Sequence, residues 1–176
     1  KGGKPFEALA RTHTVMFDKT GTLTAGGARL VAIETAPGES PDEVLRMAGS
    51  VEQASHHVVA AAIVEAALGK GLELRVPSQV RETMGSGLEG VIDGRVIRVG
   101  SHQLVYGARK PEEWAVRALR RAAWRSALSV FVAVDGRTIG ALLLGDELRR
   151  ETPRAVHALR AAGVSRIVML TGDRAD

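Results

Sequence analysis

An α/β fold is predicted, a partial parallel sheet of Rossmann-like character interrupted by an inserted α+β module built on an antiparallel sheet. Three observations predict it. Near either end of the chain a short apolar run stops at a polar loop: Val15-Met16-Phe17 runs into Asp18-Lys19-Thr20-Gly21-Thr22-Leu23-Thr24, and Ile167-Val168-Met169-Leu170 runs into Thr171-Gly172-Asp173. Continuous apolar runs are what strands buried on both faces of a parallel sheet require. Between them, Asp93-Gly94 and Asp135-Gly136 are flanked by apolar and β-branched residues. Such pairs are hairpin turns, and hairpins pair antiparallel.

Each element has its own signal. Lys1 to Arg11 is polar, with Phe6 and Leu9 as apolar points, and reads as a short lead-in helix. Thr14 to Phe17 reads as a buried strand. Ser40-Pro41-Asp42-Glu43 opens a helix over 41–49 as a capping box with Pro at the first helical position. A second helix runs from about His57 to Leu68 and stops at Gly69 and Gly71. Val91 to Ile97 is the first hairpin. Pro111 to Ser126 is a helix with Trp114, Ala118 and Arg121 along one side. Val130 to Ile139 is the second hairpin. Glu151 to Ala162 places Ala155, Val156, Leu159 and Ala162 at helical spacing, with Pro153 in its first turn and Gly163 at its end. Ile167 to Leu170 reads as another buried strand. The expected domains are 1–28 and 141–176, two parts of one α/β domain, and 29–140, the inserted module.

Composition narrows the classes. At 176 residues the chain holds one domain or two small ones. It is 45% hydrophobic but only 3% aromatic, so Ala, Val and Leu must fill the core. Cysteine is absent, which excludes a disulfide scaffold and thiolate metal ligation. A net charge of +4 weakly favours polyanions such as nucleotides. No basic and aromatic interleaving suggests a nucleic-acid groove, so no nucleic-acid partner is expected. No apolar run reaches the roughly 18 residues of a membrane helix; Val58 to Leu68 is interrupted by Glu65. No signal peptide is visible; the chain starts at Lys1 and not at Met, so an excised piece of a longer protein is expected.

Asp18 carries the chemistry. It sits where a strand ends and a Thr/Gly loop begins, the place where open α/β sheets bind ligands. A carboxylate there can attack phosphorus and form an acyl phosphate. Neighbouring hydroxyls and backbone N–H groups can hold phosphate oxygens, and the carboxylate can bind Mg²⁺.

The stretch Asp18-Lys19-Thr20-Gly21-Thr22-Leu23-Thr24 resembles the P-type ATPases, ion pumps that pass through a phosphoaspartate, within the wider haloacid-dehalogenase-like phosphotransferases. The resemblance implies that Asp18 is phosphorylated by ATP and that the backbone carbonyl of Thr20 helps hold Mg²⁺. Thr171 matches the phosphate-binding Thr of Thr-Gly-Asp. Soluble phosphatases of the wider group carry a second Asp two positions after the first. Here that position is Thr20, so a slowly hydrolysed phosphoaspartate, suited to a pump, is expected.

The inserted stretch is similar to one branch, the heavy-metal-transporting (CPx-type) ATPases. That branch carries a Glu, then Ser-x-His-Pro or Ser-His-Pro, then Gly-x-Gly and a further Gly. This chain has Glu52, Ser55-His56-His57, Gly85-Ser86-Gly87 and Gly100. The resemblance implies that Glu52 and His56 contact adenine and that Gly85, Gly87 and Gly100 let the nucleotide approach the backbone. His56 is taken as the base-facing imidazole by alignment with Ser55, placing His57 where the branch has Pro; His57 is the alternative. Asp146-Glu147-Leu148-Arg149 matches the branch's Asp-x-x-Arg re-entry. His13, His102 and His157 match nothing and read as surface or structural.

The function expected is the ATP-binding portion of an ATP-driven heavy-metal cation transporter, with ATP and Mg²⁺ as cofactors. Its partners are ATP or ADP and the parent's own membrane and actuator domains, the metal ion being handled by the parent only. The location expected is the cytoplasmic side of a cell-membrane protein. The family's later Lys and its Gly-Asp-Gly-x-Asn-Asp segment are not in this chain, so an incomplete parallel sheet and no phosphorylation by the piece alone are expected. Two other readings stay open: a soluble haloacid-dehalogenase-like phosphotransferase, and a nucleotide-binding module without catalysis.

Overall fold

In chain order the elements are β1 (Thr14–Asp18), β2 (Thr24–Thr35), α1 (Pro41–Glu52), α2 (Val58–Gly69), β3 (Ser78–Thr83), β4 (Gly87–Ile92) and β5 (Arg95–Gly100), then α3 (His102–Tyr106), α4 (Glu113–Trp124), β6 (Leu128–Val134), β7 (Arg137–Leu148), α5 (Thr152–Ala161) and β8 (Arg166–Leu170). They come from a computed structural model that describes residues 11–18, 22–125 and 127–170. The expected helix before Arg11 lies outside them. The chain divides into two compact units, Lys1–Gly27 with Asp146–Asp176, and Ala28–Gly145. The expected second boundary, at 140/141, falls inside β7, because that strand continues unbroken to Leu148.

In the first unit β1 and β8 pair in parallel, Thr14 with Arg166 through Asp18 with Leu170. Both strands therefore end at the same edge. Neither strand is buried as the apolar runs suggested: Met16 is 62% exposed, and Met169 and Leu170 are about half exposed. The physical reason is the two-stranded sheet, in which each strand has a neighbour on one side only. α5 ends as expected at Gly163, whose N–H reaches the Arg160 carbonyl while the Val164 N–H reaches that of Leu159. This is a Schellman closure, which glycine enables at φ +95°.

The second unit is built on a six-stranded sheet in the order β2-β7-β6-β5-β4-β3. The hairpins form at the two Asp-Gly pairs, with Asp93 at φ +50° and Gly94 at φ +77°, and Asp135 at φ +50° and Gly136 at φ +80°. Positive φ at both central residues is the type I′ turn, whose twist matches that of the strands. Asp135 adds a side-chain bond, its Oδ1 accepting the Val96 N–H at 2.9 Å.

Successive residues of β6 point to opposite faces and divide the core. Val130, Val132 and Val134 join Val44, Leu45 and Val51 of α1 and Ile63 of α2 on one face. Phe131 and Ala133 join Val105, Tyr106, Trp114, Ala115 and Ala118 of α3 and α4 on the other. On this second face the small residues Ala115 and Ala118 of α4 pack beside the rings of Tyr106, Trp114 and Phe131. Arg121, grouped with Trp114 and Ala118 from its spacing, is exposed and pairs with Glu34 at 2.7 Å.

The capping box at Ser40 does not form. Pro41 opens α1 as expected, but the Ser40 side chain makes no cap bond. Glu43 instead accepts two bonds at 2.8 Å from the Arg46 guanidinium, one turn on. A bidentate guanidinium is the stronger partner for that carboxylate. α1 continues to Glu52, three residues past its expected end.

Candidate functional site

Glu52 is the last residue of α1. Its position at a helix C-terminus and its burial, 5% exposed, both disfavour a negative charge. Burial pushes its carboxyl up to about 7; His57 opposes the shift and Glu82 adds to it. Near neutral pH the group therefore exists in both forms and can accept or donate a hydrogen bond.

Glu52 lines a cleft of about 270 Å³. The turn after α1 brings Ser55 and His57 to it, and α2 brings Val58, Val59 and Ala60. The turn between β3 and β4 adds Gly85 and Ser86, the start of β4 adds Gly87, and the end of β5 adds Gly100, followed by Ser101. The wall is mostly apolar, with Leu88, Leu128 and Val130 among the lining residues. A largely apolar cleft with a few convergent polar groups suits a flat heteroaromatic ligand.

The glycines act in two ways. Gly87 and Gly100 are register partners across β4 and β5. A Cβ on Gly87 would lie 2.1 Å from the Val99 carbonyl oxygen, and one on Gly100 would lie 2.1 Å from that of Ser86. Their bareness serves backbone packing at the cleft floor. Gly85 is different: at φ +72° a Cβ there would meet nothing within 4 Å. Its conformation, and not crowding, calls for glycine.

The structure separates the two adjacent imidazoles. His56 is exposed and does not line the cleft, whereas His57 does. His57 is the N-cap of α2, in extended conformation at φ −71° and ψ +146°, and Val58 is the first helical residue. The position that Pro would stiffen is therefore Val58, so the stretch reads Ser55-x-His57-Val58 in the longer form of the motif. His57 Nε2 lies 3.0 Å from Glu82 Oε1. Glu82 was not singled out from the sequence, because it lies 25 positions away and belongs to no motif.

In the other unit Asp18 ends β1 with an exposed side chain. Thr20 and Thr171 lie outside the described residues. The backbone just beyond the Asp18 loop is anchored: Arg149 Nε donates to the Thr24 carbonyl at 3.0 Å, Thr152 Oγ1 to that of Leu23 at 2.8 Å, and the Thr24 hydroxyl to the Asp146 carboxylate. Asp146 and Arg149, the ends of the Asp-x-x-Arg stretch, thus both hold Thr24, the last residue of the Asp-Lys-Thr-Gly-Thr-Leu-Thr stretch. Among the described residues no group of three or more His, Asp or Glu converges as a metal site. None of their helices is long and apolar enough to cross a membrane.

A parallel strand ending in an exposed aspartate, joined by chain to a module with its own cleft, defines a class. The chain belongs to the haloacid dehalogenase-like hydrolases, whose pattern matches residues 12–176. The relatives it matches include P-type ATPases. It is 38% identical to the copper-exporting P-type ATPase of Mycobacterium leprae (strain TN), over 98% of this chain and 21% of that protein. It is 35% identical to the manganese-exporting P-type ATPase of Mycobacterium bovis (strain ATCC BAA-935 / AF2122/97), over 98% of this chain and 24% of that protein. The fold is similar to a zinc-transporting PIB-type ATPase crystallised in an E2.Pi state, with a TM-score of 0.85 and 34% identity over 99% of this chain and 28% of that one. The chain spans under a quarter of the length of these two curated relatives.

Proposed function

We propose that this chain is the ATP-binding and phosphate-accepting cytoplasmic portion of an ATP-driven heavy-metal cation transporter, with Asp18 as the residue phosphorylated. The observation that carries this reading is the convergence of Glu52, His57, Gly85, Gly87 and Gly100, scattered along the chain, on one cleft. Glu52 can accept from the adenine amino group or, protonated, donate to a ring nitrogen. His57, and not His56, presents its imidazole to the base. The mostly apolar wall takes the purine faces.

Asp18 fits a phosphate acceptor in being exposed at a strand's C-terminal end, and its carboxylate can serve as one Mg²⁺ ligand, with the Thr20 carbonyl as a second. Mg²⁺ bound there would offset charge on the phosphate oxygens. The cargo is proposed only as a transition-metal cation, because the relatives' names differ: copper, manganese and zinc. The membrane and actuator domains of the longer protein are its proposed partners.

Titration calorimetry of the 176-residue chain with ATP and ADP tests the binding half; absence of saturable binding overturns it. Labelling the longer protein with γ-labelled ATP tests the other half. Acid-stable, hydroxylamine-labile label is expected, and its persistence in Asp18→Asn would remove Asp18 from the role.

A further inference from the structure

Every residue of β3 is exposed, yet one of them, a carboxylate, stands opposite a buried apolar residue of the next strand. In β4 the buried positions alternate, Leu88, Gly90 and Ile92. β3 is the edge strand beside it, and Glu82 stands opposite Leu88 in the ladder. Residues paired across an antiparallel ladder share a face. Glu82 is therefore on the face of β3 that looks toward the core, at the end where the cleft opens. Val80, two residues earlier on the same face, lies over Gly90, whose missing Cβ would be 3.6 Å from Val80 Cγ2, and is itself 38% exposed.

The strand is also re-aimed just before this point. The register between β3 and β4 shifts between Ser78 and Arg81, and Gln79 there has φ +51°. Such bulges turn the side chains beyond them and are common beside functional sites. The turned strand brings Glu82 to His57, and both residues line the cleft.

We propose that Glu82 is a positioning residue for nucleotide binding: its carboxylate accepts the Nε2–H of His57, 3.0 Å away, and holds the imidazole at the cleft with its Nδ1 edge and ring faces left to the base. This rests on reading the cleft as the nucleotide site. An ionised carboxylate can only accept, so Nε2 carries the hydrogen whether or not the ring is charged. The contact thus selects the tautomer as well as the orientation, as a carboxylate behind a working histidine does elsewhere. His57 needs such a partner. It precedes the helix, its side chain is 71% exposed, and it makes no side-chain cap bond to α2. Without Glu82 its ring has several rotamers open to it, and binding a base would have to select one.

Calorimetric titration of the 176-residue chain with ATP tests this, together with ¹⁵N spectra of the His57 ring and melting curves for each variant. The Glu82 side chain is 49% exposed on an edge strand, so its variants should melt as the wild type does. Glu82→Ala should weaken ATP binding roughly 3- to 10-fold, the worth of one hydrogen bond. Glu82→Gln keeps an accepting oxygen and should stay within about twofold. In a His57→Ala background, Glu82→Ala should change nothing further, because its effect runs through the ring. The wild-type ring should show hydrogen on Nε2, and Glu82→Ala should show a mixture of tautomers.

Unchanged or tighter ATP binding by Glu82→Ala would overturn the proposal, as would a full additional loss in the His57→Ala background or a ring with hydrogen on Nδ1 alone. If the wild type binds ATP and Glu82→Ala equals it, the nucleotide site stands and this role falls. If the wild type binds no ATP, both fall.

Discussion

Gly87 and Gly100 face each other across β4 and β5, each lying where a side chain on the other would sit. A Cβ on Gly87 would be 2.6 Å from the Gly100 Cα, and one on Gly100 would be 2.8 Å from the Gly87 Cα. Both have positive φ, +136° and +157°. Alanine at either position therefore meets backbone that cannot yield locally and a conformation that L-residues avoid. Gly87→Ala and Gly100→Ala are each expected to destabilise the chain by about 1–3 kcal/mol and to weaken ATP binding. Urea unfolding and calorimetry would show both losses in the same variant.

Gly85 offers the contrasting case. Its surroundings are open and its φ is +72°. Asparagine tolerates that conformation better than other side chains do. Gly85→Asn should leave the melting temperature within a few degrees of wild type and lower ATP affinity by filling the cleft. A variant that melts normally and binds normally would show that the cleft does not use the space above Gly85.

Glu52 makes stability depend on pH with a defined sign. Its folded carboxyl is raised from 4.5 to about 7. Between those values the folded chain retains a proton that the unfolded chain has released. Stability therefore falls as pH rises through this window, reaching a penalty on the order of 3 kcal/mol above it. Melting temperatures taken from about pH 5 to about pH 8, a range that spans the raised value, should fall for the wild type. The fall should be smaller in Glu52→Gln, which has no charge to bury.

Thr24 should matter for stability out of proportion to its size. It is 1% exposed, and its hydroxyl donates to Asp146 while its carbonyl accepts from Arg149. Thr24→Val keeps the shape and the carbonyl bond but removes the donor from a carboxylate. A loss of about 1–3 kcal/mol is expected, read as a lower urea midpoint. An unchanged midpoint would show that Asp146 replaces the donor at no cost.

The features legible in the sequence were those that local chemistry determines. The Asp-Gly turns depend on two adjacent residues, and both formed. Gly163 and Gly71 closed their helices, with the Gly71 N–H reaching the Leu68 carbonyl at 2.8 Å. The capping box failed because Arg46 competes for Glu43, and a motif read at four positions does not include its rival one turn away. β3 is not legible in the sequence because Ser78-Gln79-Val80-Arg81-Glu82-Thr83 has little apolar alternation and its pairing carries a register shift. α3, five residues long, is too short for periodicity to show. That Glu52, Gly85, Gly87 and Gly100 line one cleft is legible only as their order and residue type in the sequence. The choice between His56 and His57 is not legible there, since it depends on which residue starts α2. The meeting of His57 with Glu82 exists only once β3 is folded beside α2.

The nesting of one unit inside the other orders the way the chain can fold. Ser165 Oγ reaches the His13 carbonyl across 152 positions of sequence, and β1 must find β8 over the same distance. Closing a loop that long in an unfolded chain costs conformational entropy that grows with the logarithm of its length. Most of the inserted unit's sheet needs no such search, because it is built from hairpins between sequence neighbours, the pairing of β2 with β7 being the long-range exception. Once it has formed, β2 and β7 lie side by side, and the two chain ends leaving it start close together. The long loop is then already closed. β1 and β8 should therefore pair late, as a consequence of the insert and not as a nucleus for it. Substitutions in the hairpins should slow refolding, and those in β1 should chiefly speed unfolding.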